Sequence, residues 1–228
     1  ICQWGTAHRS SYVCCVNAHM TVEAHDDPAF AAVVNGADMA TADGMPVVKS
    51  VAFFHRIAQE RVAGNDLMPS LLRAAEERGL SVYLHGGRRA TLDRIAERIR
   101  NEHPALRLVG TCSPPSRAAT EQEMVETAQE IDRSGAHVVM VSLGCPKQEK
   151  WMAAMKGRVN AVMIGLGGAF LLYAGEDTRA PKWMRDLSLE WLYRLWLEPG
   201  RLWKRYLFTN TRFVLLFLRA WLKEGRPR

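Results

Sequence analysis

The stretch from residue 138 to residue 170, VVMVSLGCPKQEKWMAAMKGRVNAVMIGLGGAF, constrains the fold more than any other part of the chain. It holds two short apolar runs, 138–143 and 161–166, each ending in glycine. The first passes through Gly144-Cys145-Pro146 into KQEKWMAAMK, rich in helix formers and free of β-branched residues. The second passes through Gly165-Leu166-Gly167-Gly168 into AFLLYAG. Fully apolar strands alternating with helices indicate a parallel sheet covered on both faces. Ligands of such sheets sit beyond the carboxyl ends of the strands, where glycine admits close approach and helix N-termini favour anions. Either turn alone reads as an ordinary tight connection. Two in succession, one followed by Lys147-Gln148-Glu149-Lys150, point to a phosphate or nucleotide site that uses Gly144, Gly165, Gly167 and Gly168.

The rest of the chain fits that frame. Strand patterns at 11–17, 37–41, 82–85 and 106–110 join the two above to give six. Helical patterns lie at 22–35, 45–57, 67–78 (capped by Asn65 or Asp66), after Arg89 to about residue 102, and 119–134 closed by Gly135. This is the pattern of an α/β fold: a Rossmann-like open, mainly parallel sheet of about six strands with helices on both faces. It occupies residues 1–180. Residues 181–228 differ, with helical segments at 181–197 and 201–223 split by Glu198-Pro199-Gly200, and five of the seven tryptophans in the last 50 residues.

Charge separates the same two parts. Residues 179–228 hold twelve Lys and Arg against four acids, a net of +8, which leaves −2 for residues 1–178. Basic amphipathic helices rich in Trp suit a bilayer interface, with rings at headgroup depth and cations towards anionic lipid. An ordinary helical hairpin on the sheet, or a nucleic-acid surface, are the other readings; clustered Trp, Leu and Phe disfavour nucleic acid. The five cysteines form no CxxC pair, and Cys14-Cys15 falls inside a strand, which suggests a reducing compartment. The histidines show no zinc-ligand spacing, and no apolar run reaches the ~20 residues of a membrane span. The chain begins without Met and without a signal-peptide pattern, as at a fragment boundary.

Asp43 follows a weak strand and precedes Gly44, where a carboxylate could act as general base on a substrate hydroxyl. The plainer role is an N-cap of the next helix. Asn17 ends the first strand and suits either a sugar contact, the positioning of Asp43, or simple turn chemistry. Gln148 and Glu149 open a helix after the glycine-proline bend and read equally well as a solvated helix start. His85 reads as a strand-end histidine. Gly86, Gly87 and Arg88 resemble half a phosphate loop, without GxGxxG or the Walker Lys-Ser/Thr. A non-catalytic nucleotide-binding adaptor at a membrane would use the same features, so tolerance of Asp43→Asn would separate it from an enzyme.

Together, VVNGADMATADGMPVV, ERVAGNDLM, SVYLHGG, VSLGCPKQEKWM, GLGGAF and RAPKWMRDLSLEWLYRLWLEPGRLWKRY resemble, in order and over nearly the whole chain, the WecG/TagA/CpsF family of bacterial glycosyltransferases. The resemblance implies an inverting, metal-independent transferase with no cofactor. It would move N-acetylmannosamine, its uronic acid or glucose from a UDP-sugar to a polyprenyl-diphosphate-linked sugar, for cell-surface polysaccharide or teichoic acid. It further implies a peripheral position on the cytoplasmic face of the plasma membrane, and leaves homo-oligomerisation open. In the family the aspartate of the DG pair is the proposed base, which carries to Asp43; the strand asparagine carries to Asn17 and the glutamine of the PKQE motif to Gln148. Basic tail residues reaching over the site carry to Arg194, Arg201 and Lys204. Two positions depart from the pattern: Cys15 stands where members often have Thr, and Leu171 where they usually have an acid. The absence of any Asp-x-Asp leaves arginines and glycine-turn amides as the electrophiles for a departing diphosphate.

Overall fold

The computed structural model describes residues 1–181, 183–184, 189–197 and 199–225, without the side chains of 194, 201, 202, 204–206 and 224. The six expected strands all form: β1 (Ser11–Val16), β2 (Met39–Ala42), β3 (Ser81–Gly86), β4 (Arg107–Cys112), β5 (Val138–Ser142) and β6 (Val162–Gly165). They make one all-parallel sheet in the order β2-β1-β6-β5-β3-β4, an open Rossmann-like arrangement. In register, β5 sets Val141 against both His85 of β3 and Gly165 of β6.

The helices are α1 (Cys2–Thr6), α2 (Ala18–Asp26), α3 (Pro28–Asn35), α4 (Met45–His55), α5 (Gly64–Glu77), α6 (Arg89–Glu102), α7 (Glu121–Ser134), α8 (Lys147–Met155), α9 (Ala169–Tyr173), α10 (Glu190–Leu197) and α11 (Pro199–Glu224). The single helix expected over 22–35 is two. Asp27 breaks it: its Oδ1 accepts from the Ala29 and Phe30 amides at 3.0 and 3.2 Å, capping a new helix that starts on Pro28. A proline without an N–H is well placed at a first turn, where no partner is lost. The helix expected from 67 starts earlier, at Gly64, so neither Asn65 nor Asp66 precedes it.

The packing divides the chain into two units. The first joins Ile1–Cys15, Ala32–Ala40 and Gly64–Asp177. Its main core lies on one face of the sheet. Val13, Val82, Leu84, Val138, Met140, Val162 and Ile164 alternate inward and meet Met68, Leu71 and Leu72 of α5 and Leu92, Ile95 and Ile99 of α6. The intervening strand residues turn to the opposite face, where Tyr83 donates to Glu130 of α7 at 2.6 Å and Met152 of α8 approaches Gly165. Both faces are therefore covered, which explains why the strands read as unbroken apolar runs.

The second unit joins Val16–Ala31, Thr41–Ala63 and Thr178–Arg228. Here α11 packs on α2, and Arg212 forms a two-point ion pair with Asp26 at 2.6 Å for each oxygen. Phe217 of α11 lies 5.3 and 5.2 Å, centroid to centroid, from Phe53 and Phe54 of α4. The tail thus shares a unit with two segments from early in the chain. Among the described residues no helix is long and apolar enough to cross a membrane.

Candidate active site

Strand order fixes where a ligand site can form in the first unit. From β3 the chain moves outward to β4, and from β5 it moves the other way to β6, although β3 and β5 are neighbours. Their following helices, α6 and α8, leave to opposite faces and open a crevice beyond the strand ends, the switch point where α/β sheets bind ligands. The loops on either side are Gly86-Gly87-Arg88 and Leu143-Gly144-Cys145-Pro146, with Cys145–Pro146 in the cis form.

Gly86 has φ +105°, and a Cβ there would collide with the Ser142 carbonyl oxygen of β5. Only glycine fits this crossing point. Ser113 Oγ donates to the Gly87 carbonyl oxygen at 2.7 Å, and Ser142 Oγ to that of Gly167 at 2.9 Å. The hydroxyl of Ser142 thereby ties the end of β5 to the second glycine turn, Gly165-Leu166-Gly167-Gly168. On the other side of that turn, a Cβ on Gly64 would lie 3.3 Å from the Leu166 carbonyl oxygen, so the start of α5 packs directly on it. Arg88 is the N-cap of α6; its exposed guanidinium donates to Glu176 at 2.9 Å.

Gln148 and Glu149 are not a solvated helix start. They are 5% and 0% exposed. Gln148 Nε2 donates to Glu149 Oε1 at 2.6 Å, and the carboxamide lies against Gly165 and Gly167. Burial pushes the Glu149 carboxyl above its ordinary range, against weaker opposing hydrogen bonds from Gln148, its own backbone and Cys145. Desolvation, with the neighbouring Glu149 second, also raises the Cys14 thiol to about 12. His85, on the same face, stacks on Trp151 of α8 with centroids 4.2 Å apart and planes 14° from parallel. Its burial holds the imidazole down at about 4, hence neutral. The sequence reading missed Ser142 and undervalued Glu149. A signal for α8 was there: Gln148, Trp151, Met152 and Met155 share the i, i+3, i+4, i+7 spacing of one buried face.

Asn17 and Asp43 belong to the second unit, at the ends of β1 and β2. Asn17 caps α2, its Oδ1 accepting from the Met20 amide at 3.1 Å. The turn chemistry is therefore real for Asn17. Asp43 is not the N-cap residue of α4: Gly44, at φ +102°, takes that position. Asp43 is half-buried, and its amide donates to the Val16 carbonyl oxygen at 2.8 Å, joining the ends of the two strands. Arg194, Arg201 and Lys204 were expected from the tail; their side chains lie outside those described. Among the described residues no group of three or more His, Cys, Asp or Glu could hold a metal ion.

The family described as "Glycosyl transferase WecG/TagA/CpsF family" matches residues 1–227. Two curated relatives carry the name N-acetylglucosaminyldiphosphoundecaprenol N-acetyl-beta-D-mannosaminyltransferase. The protein from Bacillus subtilis (strain 168) is 33% identical over 193 residues, 84% of this chain and 73% of the relative. Its counterpart from Bacillus spizizenii is 30% identical over 221 residues, 96% of this chain and 83% of the relative. The match runs through both units, glycine turns and tail alike, and the chain belongs to the WecG/TagA/CpsF family of glycosyltransferases.

Proposed function

We propose that this glycosyltransferase transfers a sugar, with inversion and without a divalent metal, from a UDP-sugar to the hydroxyl of an N-acetylglucosaminyl diphosphate-lipid. The relatives' names supply the acceptor class and a β-linked N-acetylmannosaminyl product. Inversion follows if the donor is the usual α-linked nucleotide sugar. The observation that carries the assignment of roles is the cap of α4. Gly44 takes that position, and Asp43 stands one residue before it, at the end of β2.

In this reading Asp43 removes the proton from the attacking hydroxyl as the new glycosidic C–O bond forms. The bond from the anomeric carbon to the diphosphate breaks, and UDP departs with the electron pair. Asn17 holds the chain next to the base. Gln148 supports the second glycine turn, Gly165-Leu166-Gly167-Gly168, beside which this reading puts the departing diphosphate. Arg194, Arg201 and Lys204 add cations to the leaving group.

We assign the tail to the membrane surface on the cytoplasmic side. α11 buries Thr209 and Phe213, yet exposes Leu207, Phe208, Val214, Leu215, Leu218, Trp221 and Leu222. A helix apolar on both sides requires a second apolar environment, and a lipid interface with basic residues at its edge supplies one.

The test is a transfer assay with a panel of UDP-sugars and a short-chain N-acetylglucosaminyl diphosphate-lipid. Turnover with UDP-N-acetylmannosamine that is unchanged by EDTA is expected. Loss on chelation with rescue by Mg²⁺ or Mn²⁺ would overturn the metal-free mechanism, and no turnover with any UDP-sugar would overturn the donor class.

A further inference from the structure

Glu149 has no part in the transfer step above, yet it is the only acid among the described residues that is wholly enclosed. Its Oε1 takes the Gln148 Nε2 hydrogen bond at 2.6 Å, while Glu149 Oε2 and Gln148 Oε1 are buried without a protein partner. The carboxamide sits in space left by two glycines. A Cβ on Gly165 would lie 3.0 Å from Gln148 Nε2 and 3.3 Å from its Cδ, and one on Gly167 would lie 3.5 Å from Oε1. The amide is thus wedged beneath the second glycine turn. The last torsion of a glutamine is soft, so sterics alone do not fix which way the amide faces. The hydrogen bond to Glu149 does.

The surroundings explain a carboxyl at this position. An ionised carboxylate would be a buried charge without a counter-cation, a costly arrangement. In either protonation state Glu149 Oε1 can accept from Gln148, and burial favours the neutral acid. An apolar residue here would strand the Gln148 amide N–H in a dry interior.

We propose that Glu149 is a positioning residue: by holding the Gln148 carboxamide under Gly165 and Gly167, it fixes the backbone of the turn that receives the diphosphate of the sugar nucleotide. The positioning half stands on geometry alone, and the diphosphate half rests on the proposed function.

The experiment compares Glu149→Leu, which removes the acceptor, with Glu149→Gln, which keeps a neutral one of the same length. Two quantities are read on the full-length protein: hydrogen exchange at the Leu166 and Gly167 amides, and UDP affinity. Both amides donate to the Val141 carbonyl oxygen, at 2.9 and 3.2 Å, and report the turn directly. In Glu149→Leu we expect exchange at these amides to speed roughly tenfold and UDP affinity to fall roughly tenfold, the scale of one unpaired buried polar group. Glu149→Gln should recover most of both. If Glu149→Leu does not fold, Gln148→Met removes the same hydrogen bond from the other side and should show the same two changes. Unaltered exchange in a folded Glu149→Leu or Gln148→Met protein would overturn the positioning role. So would equal damage in Glu149→Gln and Glu149→Leu. Faster exchange with unaltered UDP affinity would leave the positioning role standing and sink the assignment of this turn to the diphosphate.

Discussion

Asp43→Asn separates charge from shape. The substitution keeps the amide that joins the ends of β1 and β2, and the helix cap belongs to Gly44. Asparagine also keeps the size and hydrogen-bonding reach of the side chain, so folding and UDP affinity should survive, while transfer falls roughly 10²–10⁴-fold, the usual loss with a general base. Near-normal turnover would retire Asp43 from that role. His85 makes a different prediction, about acid stability. Its imidazole is held at about 4 by burial against an ordinary 6.5, so the folded protein binds fewer protons than the unfolded chain between those values. Stability is complete above pH 6.5 and declines as the pH falls towards 4. The full loss is on the order of 3 kcal/mol, from 1.36 kcal/mol per pKa unit. His85→Phe keeps a ring against Trp151 and has no proton to gain. Denaturant titrations at pH 7 and pH 4 should show a smaller acid loss in the variant; equal losses would mean that His85 titrates normally.

At the scale of elements, the glycine turns are not equivalent. Gly86 combines a positive φ with a crossing against β5, whereas Gly144, at φ +77°, has open space where a Cβ would go. Gly144→Ala should cost about 1–2 kcal/mol, the ordinary strain of a left-handed alanine. Gly86→Ala adds a collision with backbone and should cost roughly 3 kcal/mol or more. Equal unfolding midpoints for the two variants would refute the ranking. These turns were legible in the sequence because apolar runs ending in glycine have a distinct local pattern. Six strands were found from short apolar or alternating runs bounded by turn residues, with ends displaced by a residue or two. The break at Asp27 was not seen, because capping by an aspartate before proline competes with a helical pattern that continues across it. Glu149 was misjudged because polarity at a helix start normally means solvent, and only the packing of α8 on the sheet reverses that. Asp43 was the opposite case: local pattern favoured a cap, and Gly44 takes the N-cap position instead.

For the whole molecule, the tail is the question. A boundary at residue 180 follows the change of composition, yet the second unit also contains α2 and α4, which meet the tail through Asp26, Phe53 and Phe54. A shift in composition marks where a segment's surface changes character; it carries no information about which distant segments that surface will meet. Deleting residues 194–228 should abolish transfer and sedimentation with anionic vesicles. It should also speed hydrogen exchange in α2 and α4 while β1, β3, β5 and β6 stay protected, since the sheet has a core of its own. Full protection of α4 in the truncated protein would show that the tail is dispensable to that unit.

The ion pair between Arg212 and Asp26 has a mechanical meaning. Asp26 is the last residue of α2, and Asn17, its cap, is the first beyond β1. The helix between them is a stiff rod of nine residues, about 13 Å long at 1.5 Å per residue. The pair therefore ties α11 to the far end of the helix whose near end is Asn17, the residue that leads the chain out of β1. The grip is two parallel hydrogen bonds between half-exposed partners, so rising salt loosens it.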